Sequence, residues 1–264
     1  MNPIRIAIVG AAGRMGQRLV ALAAADAQLE VAAAIDSAEH PQIGEDSGVI
    51  AGIKANAVPI TAKCERKVDV MIDFSSPKGA DALLDYCTTQ KTPLVYATTG
   101  LSPEQEAKLR QTANQIPLLW SPSMSMTVIL GMRLAQEAAK ALKDKDADVE
   151  IIEHHHRYKA DAPSGTALKF GQIIATEMGI DRFVHGREGK VGARPHGEIG
   201  YHAVRIGDNP GQHTILFGLL GETLELTIKA SSRDAYALGA LAAAKFLADK
   251  PAGLYDMNDV LFGK

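Results

Sequence analysis

The sequence predicts an α/β protein: a Rossmann-type doubly wound parallel sheet plus a second α+β domain with a mixed or antiparallel sheet. Three observations carry that expectation. Short apolar runs alternate with amphipathic segments through the first half, the rhythm of a parallel sheet covered by helices on both faces. A glycine turn, GAAGRMG at 10–16, falls between the first apolar run and the first amphipathic segment. From 183 onward Gly and Pro punctuate runs that alternate like antiparallel strands.

In chain order, IRIAIVG (4–10) reads as a buried strand, 13–25 as a helix and LEVAAAID (29–36) as a second strand. An irregular stretch over 37–56 follows. VDVMIDF (68–74) is a strand, 77–90 a helix, PLVYATT (93–99) a strand, 103–114 a helix and IPLLW (116–120) a strand. A helix over 126–142 leads out of this unit. In the second half, DVEIIEHHH (148–156) is a strand and 164–178 a helix, followed by the strands IGYHAVRI, HTILFGLL and ETLELTIKA. An alanine-rich helix over 234–248 and LYDMNDVLF come last, and 121–127 and 231–235 are the candidate hinges.

Composition excludes several classes. With 264 residues, 46% hydrophobic and 22% charged, the chain can bury one large or two modest cores. A net charge of -3 and a pI near 6.2 provide no basic field for nucleic acid or an anionic membrane, so any anion must meet a local site. Cys64 and Cys87 show neither the spacing of a zinc site nor the density of a disulfide framework, and read as reduced thiols in a cytoplasmic protein. No secretory leader or membrane-length apolar run is visible.

In the glycine turn, Gly10 permits a sharp turn at the strand end, Gly13 lets backbone N–H groups approach a pyrophosphate, and Gly16 permits close packing of helix on strand. Asp36, at the end of the next strand, is placed to accept hydrogen bonds from the adenosine ribose. That contact tilts the choice toward NADH, although Arg14 could reach a 2′-phosphate. Thr98, Thr99 and Gly100, and Asp73–Ser76, end two further strands at the edge where such sheets hold ligands, or are plain turns.

EHHHRYKADAPSGTA (153–167) has three readings. His154 and His156 could share a strand face and bind a metal; all three imidazoles could be merely exposed; or the run is catalytic. For the last, Asp161 serves as N-cap with Pro163 in the first helical turn. Ser164, Gly165 and Thr166 then offer N–H groups at the positive end of a helix, a pocket suited to a small dicarboxylate.

With GAAGRMG, DFSSP (73–77), ATTG (97–100) and KASSR (229–233), this segment resembles the 4-hydroxy-tetrahydrodipicolinate reductase (dihydrodipicolinate reductase) family over essentially the whole chain. The resemblance implies NAD(P)H-dependent reduction of 4-hydroxy-tetrahydrodipicolinate to tetrahydrodipicolinate, in lysine and diaminopimelate biosynthesis, by a cytoplasmic homotetramer without metal. It implies a dinucleotide-binding domain of 1–126 with 236–264, and a substrate-binding and oligomerisation domain of 127–235. By the same likeness His155 is the acid/base and Lys159 the proton donor, while His156 with Ser164, Gly165 and Thr166 holds the substrate carboxylates. Cofactor contacts, to NADH or NADPH, fall on Gly10, Ala11, Ala12, Gly13, Arg14, Met15, Asp36, Ala97, Thr98, Thr99, Ser121, Pro122, Ser123 and Met124. His154 stands where the family tolerates a small residue. At 123–127 this chain reads SMSMT, where the family often has asparagine first and glycine last.

Overall fold

Strands as apolar as IRIAIV and VMID are stable only where both faces of their sheet are covered, and helices cover both faces here. The structure is a computed structural model that describes residues 2–121 and 123–263. Its elements in chain order are β1 (Ile4–Val9), α1 (Arg14–Ala24), β2 (Leu29–Ile35), α2 (Ser47–Ile50), β3 (Ile60–Thr61), β4 (Val70–Asp73), α3 (Ala80–Gln90), β5 (Leu94–Tyr96), α4 (Pro103–Thr112) and β6 (Pro117–Trp120). There follow α5 (Met126–Leu142), β7 (Asp148–His155), α6 (Gly165–Met178), β8 (Arg182–His185), β9 (Glu198–Arg205), β10 (Gln212–Leu219) and β11 (Glu222–Lys229). Then come α7 (Asp234–Leu247), β12 (Gly253–Tyr255) and α8 (Met257–Phe262). The chain divides into two compact units, one built from residues up to Met126 and from Arg233 onward, the other from Thr127–Ser232.

In the first unit seven strands lie in the order β12-β6-β5-β4-β1-β2-β3, all pairings parallel. The chain runs outward from β1 to β3 and then returns to lay β4 on the other side of β1. The connections therefore diverge between β1 and β4, where Val9 faces Asp73, a switch point of the kind at which doubly wound sheets hold ligands beyond the carboxyl ends of their strands. α1 buries Gly16, Leu19, Val20 and Ala23, one stripe at helical spacing. α7 packs on α1, β4 and β5, where buried Ala237, Ala240 and Ala244 allow close approach. Arg18 on α1 ties down the start of α7 through Asp234 at 2.7 Å.

The second unit is a five-stranded mixed sheet, β11-β10-β7-β9-β8. β7 is central, antiparallel to β10 and parallel to β9. Val149, Ile151, Ile199, Ile215 and Phe217 from the sheet close over Ala135 and Ala139 of α5 and Phe170 and Ile174 of α6. Along β7 the buried residues alternate as Val149, Ile151, Glu153 and His155, so the row that begins in the apolar core ends in a carboxylate and an imidazole.

The fold class is the one the sequence predicts. Differences are local. IGYHAVRI was expected among antiparallel strands, but β9 runs parallel to both its neighbours, because a long excursion through α6 and β8 brings the chain back in the same direction as β7. β3, β8 and β12 are absent from the sequence reading; with two, four and three residues they are too short to show a period. The strand expected to reach 156 stops at His155, leaving His156 beyond it. Among the described residues no helix is long and apolar enough to cross a membrane.

Gly10 adopts φ +80°, open to glycine at little strain. At Gly16 a Cβ would lie 2.1 Å from the Gly10 carbonyl oxygen and 2.5 Å from Ala11 Cα, both backbone atoms that cannot swing aside. Gly16→Ala is expected to destabilise the first unit by about 1–3 kcal/mol, the usual scale for overpacking. Urea unfolding followed by circular dichroism measures it, and an unchanged midpoint would show that α1 can lift from the turn freely.

Candidate active site

Backbone groups dominate the turn between β1 and α1. Gly13 is the N-cap of α1 and supplies no side chain to its first-turn N–H groups. A Cβ on Gly13 would meet only the Gly10 carbonyl oxygen, at 3.2 Å, so the turn is open there. Asp36 closes the other side: its Oδ2 accepts from Ala12 N–H and its Oδ1 from Ser37 N–H, both at 2.9 Å. The carboxylate expected to meet a ribose is thus locked to the glycine turn, half-exposed beside it. Uncapped amides at a helix N-terminus, a glycine that leaves room and an acid fixed next to them fit the pyrophosphate and ribose of a dinucleotide.

At the same sheet edge Asp73 ends β4, fully buried. Its Oδ1 accepts from the Ser75 hydroxyl at 2.5 Å and its Oδ2 from the Thr98 hydroxyl at 2.6 Å, while Ser75 N–H donates to Thr98 Oγ1 at 3.0 Å. Burial pushes the Asp73 carboxyl above its usual range, and the two hydroxyls offset only part of that. The triangle stitches the loop after β4 to the loop after β5, which carries Ala97, Thr98 and exposed Thr99. After β6, the Ser121 hydroxyl donates to the Ser123 carbonyl at 2.7 Å, and Met124 is buried. Pro122 lies outside the described residues.

In the second unit the histidine run splits. His155 points into the buried row with Nδ1 against Glu153 Oε2, whereas His154 sits on the opposite face of β7. His156 follows the strand, and its Nδ1 is buried with no hydrogen-bond partner among the described residues. Lys159 pairs with Asp161 at 2.8 Å. The expectation that Asp161 caps α6 is overturned, because the helix begins at Gly165, four positions beyond Asp161. Ser164 is the N-cap, its Oγ accepting from Ala167 N–H at 3.2 Å, because the hydroxyl three residues before the donor has the shorter reach.

Ser164 is 2% exposed and is drawn inward at both polar groups. Its N–H donates to Glu153 Oε1 at 3.1 Å, and its hydroxyl lies 3.1 Å from His213 Nε2. Of the three amides expected at this helix start, those of Gly165 and Thr166 are the ones left in the first turn without an intrahelical acceptor. Three residues of the cluster carried no role in the sequence reading: Glu153, Arg205 and His213. Arg205 reaches Glu153 with both Nη atoms, at 3.0 and 2.8 Å. His213 packs edge-on to His155 with ring centroids 5.2 Å apart. Period-two spacing from His155 could have flagged Glu153; nothing local flags the other two.

Burial is the largest influence on Glu153 and works to raise it, but Arg205 and His155 together hold the carboxyl below its usual range. Burial lowers the His155 imidazole, and Glu153 opposes that only in part. Burial, with His155 beside it, drives His213 down to about 4, so it is neutral near pH 7. Lys159 holds Asp161 below the usual carboxylate range. The unit therefore gathers a neutral imidazole backed by a carboxylate, an ammonium and free amides, groups able to move a proton and to hold an anion. Among the described residues no group of three or more His, Cys, Asp or Glu side chains is arranged to hold a metal.

A glycine turn with open backbone amides at the switch point of a doubly wound sheet is the arrangement that binds dinucleotides, the one on which NAD(P)H-dependent oxidoreductases are built. Family models for the dihydrodipicolinate reductase N-terminus and C-terminus match residues 4–124 and 127–261. The chain belongs to the dihydrodipicolinate reductase family. It is 52% identical to 4-hydroxy-tetrahydrodipicolinate reductase of Rhodopirellula baltica, over 98% of this chain and 96% of that one. With the Burkholderia pseudomallei (strain 1710b) protein of the same name it shares 46% identity over 99% of each. The solved dihydrodipicolinate reductase of Paenisporosarcina sp. TG-14, which has dipicolinate bound, superposes with a TM-score of 0.78 at 28% identity, covering 96% of this chain and 97% of that one.

Because the folded-state pKa of Asp73 is raised, its contribution to stability is fully present below the ordinary aspartate pKa of about 4 and is lost as pH rises through the folded value. Asp73→Asn lacks this loss. The difference in Tm, variant minus wild type, is expected to become more positive from about pH 4 to pH 7. Differential scanning fluorimetry across that range checks the sign, and a difference that falls with pH would show an Asp73 stabilised as the anion.

Proposed function

We propose that the protein reduces 4-hydroxy-tetrahydrodipicolinate to tetrahydrodipicolinate with NADH or NADPH, releasing water, in lysine and diaminopimelate biosynthesis. The observation that carries this reading is the buried Nδ1 of His156, without a hydrogen-bond partner among the described residues, in the segment that also supplies His155, Lys159 and the amino end of α6. A carboxylated ligand would supply what that atom lacks. Support for a dicarboxylate comes from the Paenisporosarcina protein with dipicolinate bound.

When bound, the reduced nicotinamide supplies a hydride. Gly10–Met15 would hold the pyrophosphate through backbone N–H groups, with Asp36 on the ribose. Ala97, Thr98, Thr99, Ser121, Ser123 and Met124 would line the nicotinamide end. Pro122 belongs to the same assignment. His156 and the Gly165 and Thr166 amides would grip the substrate carboxylates, with Ser164 contributing by holding the helix start in place rather than through its own engaged N–H. Lys159 Nζ is the proton donor to the developing negative charge, and His155 Nε2 the acid/base that exchanges protons during loss of water. The first unit would then serve as the dinucleotide-binding domain and the second as the substrate-binding and oligomerisation domain of a cytoplasmic homotetramer. Edge strand β11, with Leu224 exposed, offers one apolar position for assembly.

Purified protein supplied with freshly generated 4-hydroxy-tetrahydrodipicolinate should oxidise NADH or NADPH, each followed separately by absorbance. Lys159→Ala and His155→Ala should each lower kcat by about two to four orders of magnitude, the scale for a positioned proton-transfer group. Near-normal turnover in both variants would reject the assignment. Asp36→Ala should weaken NADH more than NADPH, since the lost carboxylate both accepts from the 2′-hydroxyl and repels a 2′-phosphate; equal weakening in a titration of nucleotide fluorescence would place Asp36 off the ribose.

A further inference from the structure

Glu153 is 1% exposed yet makes four hydrogen-bond contacts, two on each oxygen. Oε2 faces His155 Nδ1 and accepts from Arg205 Nη1 at 3.0 Å. Oε1 accepts from Ser164 N–H at 3.1 Å and Arg205 Nη2 at 2.8 Å. The four partner atoms come from three places in the chain: β7 itself, β9 and the start of α6. Arg205 stands directly across from His155 in the β7–β9 register, and His213 directly across from Glu153 in the β7–β10 register. His213 in turn meets the Ser164 hydroxyl, so Ser164 is held by Glu153 at its N–H and by His213 at its Oγ.

We propose that Glu153 is a positioning residue that fixes His155 as its Nδ1–H tautomer and locks that imidazole to the amino end of α6. One buried carboxylate would thereby set both the proton-transfer group and the amides that grip the substrate. This inference rests on the reading of His155 as the acid/base.

The tautomer follows from donor chemistry. An ionised carboxylate only accepts, and an arginine that engages both of its oxygens favours the ionised form. A neutral imidazole facing such an oxygen must carry its hydrogen on the facing nitrogen, which leaves the lone pair on Nε2 for proton exchange. If Nε2 takes a proton, the same carboxylate stabilises the resulting imidazolium. The groups facing His155 are Glu153 on its own strand, Arg205 on β9, His213 on β10 and Lys159 in the following loop, and Glu153 is the one anion among them. A purely structural Glu153–Arg205 pair would need neither the Nδ1 contact nor the Ser164 N–H.

Nitrogen-15 NMR of the substrate-free wild-type protein tests the tautomer without any substitution. A protonated Nδ1 and unprotonated Nε2 at His155 are expected above its titration, and the opposite tautomer overturns the proposal. Glu153→Gln should abolish that tautomer preference and lower kcat by about ten- to a hundredfold, the effect seen when the partner that orients a functional histidine is removed. KM for the nucleotide should not change. The acid limb of the kcat profile should move to lower pH, because Lys159 and Arg205 then act on His155 unopposed. Glu153→Asp keeps the charge for Arg205 but shortens the reach, so it should lower kcat while retaining most of the stability.

The double variant Glu153→Gln/His155→Ala should show the same kcat as His155→Ala alone, with any further loss confined to the substrate KM through the α6 amides. A further fall in kcat of the double variant would mean that Glu153 does not act through His155, and would overturn the inference. Full turnover by His155→Ala alone would instead reject the catalytic reading, and the NMR tautomer would still decide whether Glu153 orients the ring.

Discussion

The second unit depends on keeping one carboxylate charged inside it. Burying an anion is expensive unless cations and N–H donors replace the water it loses, and Glu153 has an arginine fork, an imidazole and a backbone amide to do so. Each partner brings a different segment with it. Arg205 brings the end of β9, Ser164 the start of α6, and His155 the end of β7, so the requirement of a single residue gathers the cluster. Deleting either member of the Glu153–Arg205 pair would leave a mostly buried charge without its counterion, a loss on the order of 3–5 kcal/mol for such pairs.

Asp73 in the first unit faces the opposite balance. It is likewise closed to solvent but lies deeper, and its partners are two hydroxyls and no cation, so desolvation wins and the carboxyl is pushed upward, whereas at Glu153 the charges win. The structural consequence is nonetheless similar. Asp73 binds the loops after β4 and β5 together at the carboxyl edge of the sheet, as Glu153 binds strand ends to a helix start. In both units a polar hub lies at the end of a buried strand, one step beyond the apolar core that rigidifies it.

Legibility in the sequence varied with range. GAAGRMG, the strands around it and Asp36 are local signals, and the structure locks Asp36 to the turn through Ala12 N–H as nothing in the spacing alone required. The α6 start was legible as a helix N-terminus, but its capping residue was not: Asp161, Ser164 and Thr166 are all competent caps by type, and Ser164 is the one that immediately precedes the first helical residue. Short strands such as β3 and β12 form only because a neighbouring strand is already there to pair with them.

By itself the sequence determined the elements whose signal fits within one turn of helix or a few pleats: the βαβ rhythm, the glycine turn, and the alternation that puts neighbouring histidines on opposite faces of a strand. Local sterics and the burial of one face act over a handful of residues, so a linear pattern can express them. Tertiary structure alone decided that β9 runs parallel to β7, that Arg205 meets Glu153 across 52 positions and that His213 meets Ser164 across 49. Those contacts arise from sheet register, which is set by how the whole core closes, and no short window of residues contains that information.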